Sequence, residues 1–501
     1  MNGYENDHGG LTAAVRRCAD VLDVNGRGVN PQEILERIRQ MQDELWSPAA
    51  VAESSWGRWF AAARLRLLGR ELNRVDSLLG QVGRLAMPRY VPSGRPGLLY
   101  ITHFDVFSRN GGAARVLGLG KALSAKYDVR IISLVGPTRS PEIVVAAPGC
   151  RVCFIPLTSA FVKEVEALRP RFGGASESLA FTRHHELIPL LREWIERFVE
   201  DAQVCILNQP YLVGLWQSIG RRPPLVYDTP EVNSFFIRRL ADGCPGVDEA
   251  SAWQEEVERA VLNEASLITM VSVADRDELV KLRGGRFAAR IRLVPNGIDV
   301  AETFFAPPGV GLGLRQNCGL TREAALFIGA PRYRPNEEAI RFMARQLAPR
   351  LRELLFVVVG VRSGDVPSLG PLPENIVFTG RLTERDKKAV MALCSYGLAP
   401  LEFDTGSSLK TVDYLAAGKV MVSTRFGLRG FDELAAHVRV ADLDDFATVL
   451  EKAVGETRND RSGVDARCAA ARKAVADRFD WNVITQQLLA GLPELPVQTG
   501  R

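Results

Sequence analysis

The residues best suited to chemistry lie close together around position 410. Thr405, Gly406, Ser407 and Ser408 offer small side chains and backbone N–H groups, Lys410 adds a cation, and Asp413 adds a carboxylate. Amide and hydroxyl donors beside an ammonium group suit an anionic ligand, a phosphate above all. The flanking pattern says what must position them. Tyr396 to Pro400 is a short apolar run closing on a proline, and Leu409, Val412 and Ala416 recur at helical spacing. Gly418 stands where a helix stops, and Lys419 to Thr424 reads as a second strand. The stretch is therefore predicted to be one βαβ unit with Ser407 or Ser408 as the helix N-cap. Lys410 falls in the first turn, where the helix dipole disfavours a cation by about 0.3–1 kcal/mol. Lysine followed by Asp413 is also the less favourable order for a helical ion pair. A solvated Lys410–Asp413 pair is the plain alternative. A bound anion accounts for the lysine better.

Composition bounds the rest. A chain of 501 residues exceeds one core, and 46% hydrophobic with 24% charged residues is ordinary for globular protein. The 63 basic and 59 acidic residues nearly cancel, so charge makes no case for a nucleic-acid partner. No apolar run approaches the roughly 18–20 residues of a membrane span, and the start, MNGYENDHGG, lacks a secretory pattern. Eight cysteines do not make a disulfide scaffold. Cys150 and Cys153 have metal-like spacing without a second pair, and their surroundings read as a strand with structural thiols. A cytoplasmic protein, or one peripheral on the inner face of the membrane, is expected.

Residues 1–95 read as an α-helical extension and linker. Asn30-Pro31-Gln32-Glu33 opens one helix. A second, from about Trp56, carries Arg58, Arg64, Arg66, Arg70, Arg74 and Arg84. Such a helix packs within the chain or on a protein partner, or lies on an anionic membrane surface. From Gly97 strands and helices alternate, the pattern of a parallel α/β sheet. Ligands gather beyond the carboxyl ends of such strands, which makes His103, Asp105, Asn208, Gln209, Asp228 and Glu231 candidate lining. His103 is the histidine at a strand end, whereas His184 and His185 read as a helix start. Gly309 to Gly313 contains G-x-G-x-G with no strand before it, and is discounted as a dinucleotide fingerprint.

Seven segments, in order, resemble the GT-B glycosyltransferases, and glycosyltransferase family 4 most closely. They are Gly111-Gly112, Val271-Ser272 with Asp275, Val294 to Asp299, Phe327-Ile328-Gly329 with Pro335-Asn336, Val358-Val359-Gly360, Phe378 to Arg381, and Gly406 to Gly430. The resemblance covers Gly97 to the C-terminus. It implies two Rossmann-like domains: an acceptor domain at 96–295 and a nucleotide-sugar donor domain at 296–475. A C-terminal helix at 476–501 would pack back on the first domain.

By the same resemblance Asp413 stands where a glutamate usually binds ribose hydroxyls. The backbone of Gly406, Ser407, Ser408 and Leu409 faces a diphosphate, with Lys410 beside it and a basic residue, Arg332 or Arg334, against the leaving group. Gly111, Gly112, Asn208 and Gln209 fall on the acceptor side, with His103 a candidate catalytic residue. Two positions depart from the family: Thr405 replaces a glutamate, and Asn208-Gln209 stands where a histidine often follows the strand. The expected function is transfer of a sugar from a nucleotide diphosphate sugar to a glycan, lipid-linked or small-molecule acceptor, in polysaccharide or glycoconjugate biosynthesis. The donor is a substrate; no cofactor or metal is expected. The alternative is a non-catalytic nucleotide-sugar-binding or scaffolding protein on the same fold.

Overall fold

The computed structural model describes residues 94–108, 110–317, 322–331, 333–367, 369–402 and 406–492. The expected N-terminal helices, Arg332 and Thr405 lie outside the described residues.

Fourteen strands form two sheets among the described residues. The first contains β1 (Gly97–Ile101), β2 (Asp128–Val135), β3 (Glu142–Ala147), β4 (Cys150–Pro156), β5 (Ala202–Asn208), β6 (Leu225–Asp228), β7 (Leu267–Met270) and β8 (Ile291–Leu293). Their order is β3-β4-β2-β1-β5-β6-β7-β8. Strands β1 and β2 are buried along their whole length, as parallel strands covered on both faces must be. Strand β1 runs parallel to both β2 and β5, pairing Leu99 with Arg130 and with Cys205. Strand β3 is the exception. It runs antiparallel on the outside of β4 and is partly exposed, an edge the apolar pattern did not distinguish. Cys150 and Cys153 lie in β4 as free, buried thiols.

The second sheet is parallel throughout, in the order β11-β10-β9-β12-β13-β14. Its strands are β9 (Glu323–Ile328), β10 (Leu354–Val359), β11 (Ile376–Gly380), β12 (Tyr396–Ala399), β13 (Val420–Ser423) and β14 (Val438–Val440). The chain winds outward from β9 in one direction and from β12 in the other. The two meet side by side, with Tyr396 opposite Ala325 and Gly397 opposite Leu326. Such a switch point opens a crevice at the carboxyl ends of the two strands. The first sheet has a switch point of the same kind between β1 and β5, whose ends carry His103 and Asn208. Each sheet thus carries polar loops at its own switch point.

By internal contacts the described residues form two compact units. The first comprises residues up to Val106, Ser124–Leu225 and Asn233–Glu264. The second comprises Phe107–Leu123, Val226–Val232 and the chain from Ala265 on. The core of the second unit includes Phe327, Ile340, Phe356, Val358, Tyr396, Leu398, Val422, Phe446 and Leu450, each at most 1% exposed. The helix Lys410–Ala416 packs on this sheet through Tyr414, and Gly397 makes that possible, since a Cβ there would fall 2.5 Å from the Tyr414 ring. The Ile328 N–H then donates to Tyr414 Oη at 2.8 Å, fixing the helix to the end of β9. This helix stops at Ala417, with Gly418 at φ 77°, as its glycine predicts. Gly309–Gly313 lies inside the helix Pro308–Asn317, which no dinucleotide loop would do. His184 ends the helix Ser176–His184, and His185 starts a 3-10 turn.

Candidate functional site

In the second unit, the loop after β12 reaches the helix Lys410–Ala416 through Gly406, Ser407, Ser408 and Leu409. Neither serine is the N-cap. Leu409 holds that position with no side-chain bond; the Ser407 hydroxyl is taken by Asn296, and the buried Ser408 hydroxyl has no partner among the described residues. Gly406 takes φ 67°, and its N–H is among the groups bonded to the Asp275 carboxylate. Asp275 sits in the first turn of the helix Val273–Arg283, capped by Ser272, and also receives Arg429 Nη2 at 2.7 Å. Burial pushes the Asp275 carboxyl up; the Ser272 bond, the Arg429 charge and the Gly406 N–H draw it back down. The Arg429 carbonyl in turn accepts the Ser408 N–H at 3.2 Å. Gly430 lies so close to Ser407 that a Cβ there would meet the Ser407 Cβ at 2.4 Å. The loop is therefore held at Gly406, Ser407 and Ser408 before Lys410.

Lys410 has a protein partner. Its Nζ donates to Asn336 Oδ1 at 3.1 Å and lies 5.3 Å from the centroid of Phe327, so the expectation that it leans on a ligand alone is corrected. The reason is the switch point, which brings the loop after β9 beside the loop after β12. Asn336 is 3% exposed and donates to Ala330 O at 3.1 Å, which orients its oxygen toward the lysine. Asp413, half-buried one turn on, does not pair directly with Lys410. Burial pushes its carboxyl up and Glu384 adds to this, while Lys387 and Lys410 pull it down. Arg334 opens the helix Arg334–Phe342, with Nε bonded to Glu338 at 3.1 Å and its side chain 70% exposed.

Sequence reasoning missed a buried polar network of this unit. The helix Gly111–Leu123 begins at Gly111 and Gly112, with Asn110 Oδ1 accepting the Ala113 N–H at 2.8 Å. A Cβ on Gly111 would lie 3.2 Å from Leu409, so the start of this helix borders the Gly406–Lys410 loop. Four residues on, Arg115 is 1% exposed. Its Nε and Nη2 grip Asp228 at 2.7–3.1 Å, while Nη1 donates to Val294 O, Pro295 O and Asn296 Oδ1 at 2.9–3.2 Å. Thr269 adds a 2.6 Å bond to Asp228. Asp228 is thus no exposed lining residue. A buried carboxylate must be paired, and this one is used up by Arg115 and Thr269. A lone arginine within the small and apolar run GGAARVLGLGKAL was the available signal. From Asn296, Nδ2 continues the network to Ser407 Oγ at 2.8 Å.

The first unit holds His103, Asp105, Asn208 and Gln209, whereas Glu231 lies in the second. Asn208 ends β5 and Gln209 follows it, at 3% and 8% exposure. Gln209 is the one non-glycine residue with positive φ among the described residues, at 65°, a conformation that costs energy and collects at functional sites. Its side-chain oxygen accepts from Asn233 Nδ2. His103 follows β1 and is ringed edge-on by Tyr211, Phe104 and Phe181 at 4.6, 5.1 and 5.6 Å. Its Nδ1 has no partner among the described residues, and burial pushes the imidazole down to about 3. It is neutral at pH 7. Asp105 faces Arg139 at 3.5 Å, and Glu231 offers its backbone oxygen to Thr229.

Two α/β sheets, one parallel throughout and one parallel but for its edge strand, each with polar loops at a switch point, are consistent with a GT-B architecture. Residues 110–297 match the family described as glycosyl transferase 4-like domain, and residues 322–456 match glycosyl transferases group 1. Together these matches span well over half of the chain, which belongs to the GT-B glycosyltransferases of group 1. No curated protein gives a sequence match. A solved sucrose-phosphate synthase from Thermosynechococcus elongatus is similar at TM-score 0.57 and 16% identity, over 79% of this chain and 98% of its own. Anabaena HepE in complex with UDP and glucose is similar at TM-score 0.56 and 16% identity, over 79% and 100%. A UDP-forming trehalose-phosphate synthase from Burkholderia xenovorans follows at 0.54 and 17%, over 80% and 99%. At these identities the likeness is one of fold. No described helix is long and apolar enough to cross a membrane.

Proposed function

We propose that the protein transfers a glycosyl unit from a nucleotide diphosphate sugar to a glycan, lipid-linked or small-molecule acceptor, in polysaccharide or glycoconjugate biosynthesis. The observation that carries this is the pairing of Lys410 with Asn336 across the β9–β12 switch point, beside a loop whose backbone is tied at Gly406 and Ser408. An ammonium held in place beside this fixed loop can take up charge on a departing diphosphate without reorganising. One bond to Asn336 orients the three-donor ammonium and does not by itself exhaust it. In this reading Gly406, Ser407, Ser408, Leu409 and Lys410 bind the diphosphate, and Asp413 accepts from ribose hydroxyls. Arg334, with Arg332, flanks the leaving group. His103, Gly111, Gly112, Asn208 and Gln209 serve the acceptor side, with His103, neutral, as the candidate catalytic residue.

Solved proteins of similar fold hold UDP and UDP-glucose, which makes UDP-sugars the first donors to try. The proposed domains are 96–295 for the acceptor and 296–475 for the donor, with 476–501 returning to the first. The reaction is proposed to need no cofactor or metal, and to run in the cytoplasm or at the inner face of the membrane. Residues 1–95 would supply a membrane or protein contact. Cosedimentation of the full chain with anionic vesicles, lost on deleting residues 1–92, checks that contact.

A thermal-shift screen of UDP, ADP, GDP and their glucose conjugates tests donor binding, since a ligand bound to the native state raises its stability by mass action. Release of nucleoside diphosphate on adding acceptor tests transfer. Absence of any shift sinks the donor site; binding without turnover with any acceptor leaves the non-catalytic binding protein on the same fold.

A further inference from the structure

The order of donors and acceptors between Arg115 and Ser407 fixes which way a hydroxyl points. Arg115 is a donor at every nitrogen, so the Asn296 atom 3.1 Å from its Nη1 must be the amide oxygen. That choice leaves Asn296 Nδ2, which can only donate, 2.8 Å from Ser407 Oγ. Ser407 therefore accepts. A hydroxyl that accepts from an amide keeps its one hydrogen for another acceptor, and the incoming bond polarises that hydrogen into a better donor. Among the described residues Ser407 makes no other side-chain hydrogen bond. Gly430 closes one side of it, with room there for no Cβ. The remaining side is the half-exposed one, on the same loop as Gly406 and Lys410.

We propose that Asn296 is a positioning residue that commits the Ser407 hydroxyl to donate to a phosphoryl oxygen of the nucleotide bound at this loop. The inference rests on the donor-site reading above and adds the direction of one hydrogen bond, set by the relay Asp228–Arg115–Asn296. The ligand class follows from the chemistry. A hydroxyl that keeps its hydrogen for a ligand, on a loop that ends in an ammonium, complements an oxygen bearing negative charge.

The experiment is a double-mutant cycle read by calorimetric titration of inorganic pyrophosphate and of UDP, with uridine as control. Ser407→Ala removes the hydroxyl, and its pyrophosphate affinity is expected to fall about tenfold. Asn296→Asp keeps an oxygen for Arg115 but turns a second oxygen toward Ser407, which then consumes its hydrogen internally. Its added charge weakens anions in any background, so the informative quantity is a ratio. Asn296→Asp should weaken pyrophosphate about tenfold more in the Ser407 chain than in the Ser407→Ala chain. Uridine affinity should not change in either single variant. Equal effects of Asn296→Asp in the two backgrounds, or unchanged pyrophosphate binding by Ser407→Ala, overturn this inference alone. Failure of the unsubstituted chain to bind UDP or pyrophosphate overturns the donor site and the inference with it. Should Asn296→Asp not fold, the Ser407→Ala comparison of pyrophosphate with uridine still decides.

Discussion

Lys410 Nζ lies 3.1 Å from Asn336 Oδ1, joining residues 74 positions apart across the switch point of the second sheet. The bond holds a half-buried ammonium where a nucleotide's phosphates are proposed to bind, and it gives the buried oxygen of Asn336 a donor.

Lys410→Ala should therefore do two things at once. Affinity for nucleoside diphosphate falls about ten- to a hundredfold, the worth of a charge-assisted hydrogen bond. Stability falls by about 1–3 kcal/mol, because Asn336 Oδ1 is left without its partner. Titration with UDP and urea unfolding measure the two effects. Unchanged affinity would mean that the lysine serves Asn336 alone.

Asp413→Ala should weaken UDP while leaving pyrophosphate affinity as it is, since only the nucleotide carries ribose hydroxyls. Asp413→Glu should retain UDP binding, because the longer carboxylate accepts the same bonds. Equal losses for UDP and pyrophosphate in the alanine variant would assign Asp413 to local electrostatics instead.

Asp228→Asn leaves the Arg115 guanidinium buried without a counter-charge. Breaking a buried pair on one side costs about 3–5 kcal/mol, to be read from the urea midpoint at constant slope. Replacing both partners, as in Arg115→Met with Asp228→Leu, should cost less than the sum of the single changes. A near-neutral Asp228→Asn would show that the pair is dispensable.

His103 sets an acid limit. Its folded value is about 3 against an ordinary 6.5, because burial disfavours the imidazolium. As pH falls below 6.5 the unfolded chain gains a proton that the folded one does not bind. Stability present above pH 6.5 is thus lost on the way down to about pH 3, by at most about 1.4 kcal/mol per pH unit. His103→Phe should flatten that part of a stability–pH curve. Identical curves for the two chains would show that His103 titrates normally.

Much was legible in the amino-acid sequence, and for local reasons. The run Leu354 to Val359 reads as a buried strand because a parallel strand covered on both faces must be apolar throughout. Gly418 announces the end of its helix because the chain there needs φ 77°. The family segments from Gly111 to Gly430 are short stretches of contiguous residues, so their order along the chain identified the fold. What the local pattern could not carry was partnership. Ser407 and Ser408 have the right side chains for a helix cap, yet Ser407 is claimed by Asn296, 111 positions away. Asp228 ends a strand as a ligand-binding carboxylate would, but Arg115, 113 positions earlier, takes its charge. Lys410 looked like a cation in need of an anion until β9 brought Asn336 beside it. Periodicity reports which face of an element is buried; it carries no information on which polar atom arrives from a distant segment to satisfy another. That pairing is decided only when the sheets assemble, because a buried donor or acceptor must take the partner that the tertiary fold presents.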